Sequence, residues 1–279
     1  MKTAMLMALM TMLLMAIGDY FGGLQGMTIM LVFGVVMNFF TYWNSDKMVL
    51  AHYRAQEVNA RTAPRLYAIV KRLADRAKLP MPKVYVIDSP VPNAFATGRN
   101  PEHAAVAVNT ALADLLDEEE LAGVLAHELS HVKHRDILIS TVAASMAGAI
   151  STIAQWGMFL GGGRDENGES RNPFATILVM LLAPLAAALI QMAVSRSREY
   201  MADKSGGELC GNPNALADAL LKIEAFARRR VMPGATEATA HMFIINPFSG
   251  VNLKQLFSTH PPTEERVRLL REQARNMRR

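Results

Sequence analysis

The sequence predicts a mainly α membrane protein in which two transmembrane hairpins alternate with the two parts of a cytoplasmic α+β domain carrying a small sheet. Three observations predict it. In a chain of 279 residues, 51% are hydrophobic and only 19% charged, with a mean hydropathy of +0.14, too apolar for an ordinary soluble domain. Four apolar stretches carry that excess, at residues 3–18, 27–45, 137–163 and 173–195. Apart from Lys2, Arg164 and Arg171, every Lys and Arg lies between residues 46 and 135 or after residue 195.

The first two stretches, separated by the turn at residues 19–26, read as a membrane hairpin over 1–45. The first is short and also fits a signal-peptide core, but a second apolar stretch of spanning length, roughly 20 residues, follows at once. Tyr42 and Trp43 mark either an interface belt or ordinary packing. Stretches three and four form the second hairpin, over 137–195; the third is diluted with Ala, Gly, Ser and Thr and suits packing against protein as well as lipid. Positive residues are retained in the cytoplasm, which puts both termini and the intervening parts, 46–136 and 196–279, inside the cell, with loops 19–26 and 161–172 outside.

That sidedness also accounts for the net charge of +4 and pI near 9.3. No basic stripe is interleaved with aromatic residues, so the expected partner is a lipid bilayer and not nucleic acid. Cys210 is the only cysteine, which excludes an intramolecular disulfide and a thiolate cluster; a metal must use His and carboxylate.

Within the first cytoplasmic part, Leu66, Ile69, Val70, Leu73 and Ala77 recur at helical spacing over 64–79. Residues 84–87, 94–97 and 104–108 read as strands, the last two joined by a Gly98-Arg99-Asn100-Pro101 turn. Asp117 then caps an acidic helix start, and the helix runs into His127-Glu128-Leu129-Ser130-His131. Residues four apart share a helix face, so both histidines can reach one zinc ion. Glu128 beside it suits general acid/base work in peptide hydrolysis. The bland alternative is a pair of histidines on an amphipathic helix.

Glu199 and Asp203 are four apart on a helix that continues from the fourth stretch. Glu199 can complete a His2Glu site and Asp203 can orient a ligand histidine, or both can be members of a solvated charged helix end. His131 just precedes the third stretch and Glu199 just follows the fourth, which places the metal within roughly 10 Å of the membrane face. His134 points off the ligand face. His260 precedes a Pro-initiated helix and reads equally as a helix-entry residue or a donor to an oxyanion. Asn93 and Phe95 read either as turn and core residues or as part of an edge strand that binds extended substrate.

Together, HELSH at 127–131, SRSREYMAD at 195–203, NAFATG at 93–98 and HPPTEER at 260–266 resemble the HtpX heat-shock membrane proteases of peptidase family M48, which also includes the Ste24 CAAX prenyl proteases. The resemblance implies an integral membrane zinc metalloendopeptidase with a zincin-like domain of gluzincin type. It implies one zinc on His127, His131 and Glu199, catalytic Glu128, a supporting Asp203, an oxyanion role for His260 and a substrate-strand role for Asn93 and Phe95. It also implies polypeptide substrates, namely misfolded or damaged membrane proteins, cut at the cytoplasmic face of a bacterial inner membrane during stress. A CAAX-type processing protease and a non-catalytic zinc-stabilised scaffold are the alternatives. Ligand type alone does not separate zinc from other borderline divalent metals.

Overall fold

The computed structural model describes residues 2–142, 196–229, 244 and 261–277. The apolar stretches beyond residue 142, the loop at 161–172, His241 and His260 lie outside the described residues.

Helix α1 (Lys2–His52) is two arms broken at Gly23, whose φ of 54° and ψ of −147° are not helical. The arms fold back on each other. Gly18 and Gly26 meet so closely that a Cβ on either would collide with the other's carbonyl oxygen. Farther along, the Asn38 amide donates to Met7 O at 3.1 Å and to Thr11 Oγ1 at 2.8 Å, tying the arms by polar contacts where both are otherwise apolar. The stretch Gly22–His52 is long and apolar enough to cross a membrane, with a mean hydropathy of 1.7 over its most apolar 18 residues, and Thr3–Ala16 is a shorter apolar helix. Leu24, Ile29, Val32, Val36 and Phe39 face outward on the second arm.

The second arm runs on to His52, past the boundary expected at residue 45, because Val49 and Leu50 find an apolar surface to cover. That surface is one face of a four-stranded mixed sheet ordered β1-β2-β4-β3, formed by β1 (Gln56–Val58), β2 (Lys83–Ile87), β3 (Ala94–Gly98) and β4 (Ala104–Asn109). β2 and β4 are parallel, with Val84 opposite Val106; the other two pairings are antiparallel. Ile87, Phe95, Ala105 and Ala107 meet Val49 and Leu50, and Tyr53 lies 5.5 Å from the Phe95 ring. Val84, Ala94, Ala104, Val106 and Val108 point the other way, into the main core. Central β4 is buried at every position, which is why its Ala/Val run lacks polar alternation.

Three helices build the main core on that second face: α2 (Pro64–Ala77), the short α3 (Thr110–Leu115) and α4 (Glu118–Lys133). α4 opens with a reciprocal capping box, the Glu120 N–H donating to Asp117 Oδ1 at 2.9 Å and the Asp117 N–H to Glu120 Oε2 at 3.0 Å. Residues 137–142 are helical again. α5 (Arg196–Cys210) and α6 (Pro213–Arg229) pack on α4 from the other side, and α7 (Thr263–Met277) packs across both. Two glycines set how closely they approach. A Cβ on Gly123 would sit 2.9 Å from the Leu216 backbone in α6, and one on Gly206 would sit 2.8 Å from His127 N.

Because Leu50 is 7% exposed and Leu24 74% exposed, Leu50→Ala should cost about 2–5 kcal/mol, as cavity-forming Leu→Ala changes do, while Leu24→Ala should be silent in detergent. Thermal melts of the detergent-solubilised variants check this; equal midpoints would mean that the arm does not belong to the domain's core.

Candidate active site

His127 and His131, one turn apart on α4, present their rings in a T-shaped arrangement with Nε2 atoms 3.2 Å apart. Gly206 lets α5 close on α4 at that level, and Glu199, two turns earlier on α5, points between the rings. Its Oε2 is 3.7 Å from His127 Nε2 and its Oε1 3.7 Å from His131 Nε2. Ligand atoms at zinc bond lengths in a tetrahedron lie about 3.3 Å from one another, so these spacings suit three vertices around one small ion. The residues fit a His2Glu metal site, and this group is the metal-capable cluster among the described residues.

Each histidine is backed by a carboxylate. His127 Nδ1 lies 2.9 Å from Asp203 Oδ1, and His131 Nδ1 lies 3.2 Å from both carboxylate oxygens of Asp136. With each Nδ1 turned to a carboxylate, both Nε2 atoms face the position a metal would take. Asp203 is in turn clamped by Arg266 of α7, whose Nε and Nη2 each donate at 2.7 Å to the two carboxylate oxygens. The third guanidinium nitrogen donates to Ile244 O at 2.7 Å, and the Ile244 N–H donates to Asn93 Oδ1 at 3.1 Å. A hydrogen-bonded chain thus runs from the start of β3 to Asp203, whose carboxylate lies against His127.

Charge sets the protonation states. Burial opposes ionisation of Asp203, but Arg266 outweighs it and holds the carboxyl at about 2. Burial likewise disfavours the His131 imidazolium, yet the Asp136 hydrogen bond and the Glu199 charge raise His131 to about 9. Glu128 goes the other way: burial pushes its carboxyl up, against the pull of both histidines and of the Ala96 N–H. Glu128 Oε2 accepts that N–H at 2.9 Å, which sets the carboxylate between the ligand cluster and β3.

A model of peptidase family M48 matches residues 60–274. The chain belongs to peptidase family M48. Among its M48 relatives, the protease HtpX homologue of Burkholderia thailandensis is 60% identical over 276 residues, covering 98% of this chain and 96% of that protein. The homologue of Burkholderia mallei is 59% identical over the same coverage. The crystal structure of Ste24p from S. mikatae is similar in fold, with a TM-score of 0.52, 20% identity, 96% of this chain covered and 65% of that chain. The fold is therefore the M48 peptidase fold, mostly helical with a small mixed sheet, and the chain is an M48 protease.

The structure brings together five of the residues singled out from the M48 resemblance: His127, Glu128, His131, Glu199 and Asp203. Asn93 and Phe95 are both buried. The Asn93 side chain holds Ile244 and Phe95 packs on Tyr53, so both side chains are engaged within the protein, and β3 itself is an edge strand of the sheet. His134 stands outside the cluster, 3.3 Å from Ser205 Oγ, and His103 pairs with Asn100. Sequence reasoning missed Asp136 and Arg266. Asp136 reaches His131 only because the chain reverses through Arg135 at φ 58°. Arg266 had a visible signal: it shares the i, i+4, i+8 stripe with Leu270 and Ala274, the buried face of α7.

Asp203 titrates near 2 in the folded chain and at an ordinary 3.8 once unfolded, so its contribution to stability is complete above about pH 4 and is lost as pH falls toward 2. Asp203→Asn should remove that component and flatten stability against pH across this interval, as read from acid unfolding followed by circular dichroism. Arg266→Met should cost about 3–5 kcal/mol, since it strands a buried carboxylate.

Proposed function

We propose that this M48 protease is an integral membrane zinc endopeptidase that hydrolyses misfolded or damaged membrane polypeptides at the cytoplasmic face of a bacterial inner membrane. The observation that carries the reading is the spacing of His127 Nε2, His131 Nε2 and the Glu199 carboxylate, with Glu128 buried beside them. These three residues would hold zinc, which supplies Lewis acidity toward water and a peptide carbonyl.

The chain's own groups do the rest. Glu128, with its carboxyl raised by burial, accepts the proton of the attacking water and passes it to the leaving amine. Asp203 and Asp136 fix the ring orientations of His127 and His131, and Arg266 keeps Asp203 ionised within a dry core. The outer edge of β3 offers backbone groups to an extended polypeptide, with Asn93 securing the start of that strand and Phe95 its back. His260 is the proposed donor to the oxyanion.

Membrane placement is supported by the apolar arms of α1 and by the confinement of Lys and Arg described above. Both hairpins are proposed to span, in a multi-pass arrangement with 46–136 and 196–279 on the cytoplasmic side. The Arg99 guanidinium carbon lies 4.7 Å from the Trp43 ring centre. That contact, which brings the β3–β4 turn to the second arm, supports a substrate edge close to the lipid surface.

Full-length protein purified in detergent without metal should gain cleavage of an unfolded protein on adding zinc, at one ion per chain. Glu128→Gln should retain the zinc and lose about 10²- to 10⁴-fold in kcat, the scale of general acid/base catalysis. Wild-type turnover in that variant would overturn the assignment, and selective cleavage of prenylated CAAX peptides would move the protein to the processing class.

With His131 charged below about 9, zinc must displace a proton at neutral pH, so affinity should fall as pH is lowered from 9 toward 6. Titration calorimetry in buffers of different ionisation enthalpy measures the proton released. No release at pH 7.5 would show His131 to be neutral before the metal arrives.

A further inference from the structure

The proposed substrate edge is already partly occupied by the chain itself. In the antiparallel β3–β4 ladder the Asn109 N–H donates to Asn93 O at 2.9 Å, so Asn93, Phe95 and Thr97 turn their backbone groups toward β4. Ala94, Ala96 and Gly98 turn theirs outward. The Ala96 N–H is taken by Glu128 at 2.9 Å, and the Gly98 N–H donates to Thr141 Oγ1 at 3.3 Å. Thr141 comes from the helical residues 137–142, the first turns of the third apolar stretch. Its single hydroxyl hydrogen goes to Ile137 O at 2.7 Å, so in the 3.1 Å contact with Thr97 Oγ1 it is Thr97 that donates. Thr97 is 0% and Thr141 2% exposed, so water does not compete for these bonds.

We propose that Thr141 is a latch on the substrate edge: it caps the Gly98 end of β3 from the root of the second apolar hairpin and must let go for an extended polypeptide to pair past Ala96. This rests on the reading that the outer edge of β3 binds substrate. At the two backbone donors the exchange is one for one, since substrate carbonyls replace the Thr141 hydroxyl at Gly98 and the Glu128 carboxylate at Ala96, and the Thr97–Thr141 bond is the net loss on opening. Glu128 is thereby freed for water only when a polypeptide backbone takes over its N–H. A shift of residues 137–142 consequently changes how much of the edge is open, which couples the membrane-rooted segment to substrate admission.

The test uses full-length, zinc-loaded protein in detergent. Thr141→Val keeps the shape and removes the hydroxyl, and should raise kcat/KM for an unfolded protein by about 2- to 10-fold, chiefly through KM, the scale of one net hydrogen bond. Thr141→Ser should match wild type. Hydrogen exchange at the Gly98 amide should speed up in Thr141→Val. A Thr141→Val enzyme at or below wild-type kcat/KM overturns the latch. As a second arm independent of that variant's folding, Thr97→Cys/Thr141→Cys should be inactive when oxidised and active again after reduction. Full activity of the cross-linked form also overturns the proposal. N-methylation along a cleaved peptide tests the underlying reading separately. Tolerance of N-methyl groups at every position removes the strand-pairing reading and the latch with it. Sensitivity alongside an unresponsive Thr141→Val removes the latch alone.

Discussion

The close approach of α5 to α4 at Gly206 is the constraint on which the rest of the site depends. With no side chain at that position, the α5 backbone reaches the level of His127 N, and only then does Glu199 fall between the two imidazoles and Asp203 behind one of them. Any larger residue would part the helices near the point where the ligand atoms meet. Gly123 performs the same service toward α6, so α4 is enclosed on several sides and its buried Glu120, His127 and Glu128 sit in a medium where unpaired charge is very costly.

That burial explains the density of pairing around the site. Asp203 shares both oxygens with Arg266, Arg266 turns its third nitrogen to Ile244 O, and Asp136 closes on His131. The result is a polar network that joins α4, α5, α7 and the start of β3 across long sequence separations. Networks of this kind gain precision from the low local dielectric and lose heavily when one member is removed. The catalytic chemistry proposed for Glu128 draws on the same dryness, since burial raises its carboxyl.

Much of this was legible in the sequence wherever the signal was local. The Asp117 N-cap, the helical run into HELSH, the i, i+4 pair Glu199 and Asp203, and the strands flanking Gly98 each rest on spacing of a few residues, and the structure places those elements within a residue or two of expectation. Elements that exist because of distant partners were not legible. β1 is three residues long and is a strand only because β2 lies alongside, and α1 runs past residue 45 only because the sheet offers Val49 and Leu50 a surface. Asp136 was hidden by a left-handed turn that no glycine announces, at Arg135. Phe95 shows the limit of type-based reading, because its side chain serves the core while the same residue's strand forms an edge of the sheet.

The packing of Val49, Leu50 and Tyr53 against the sheet removes any swivel between arm and domain, for only residues 53–55 separate the helix from β1. With that arm seated in a bilayer as proposed, the cleft rides at a constant height above the lipid, in the manner of a blade bolted to a table. A polypeptide still fully embedded cannot rise to it, and one diffusing freely in the cytosol has no reason to descend. Selection would then fall on chains already half withdrawn from the bilayer, by geometry before any side chain is read.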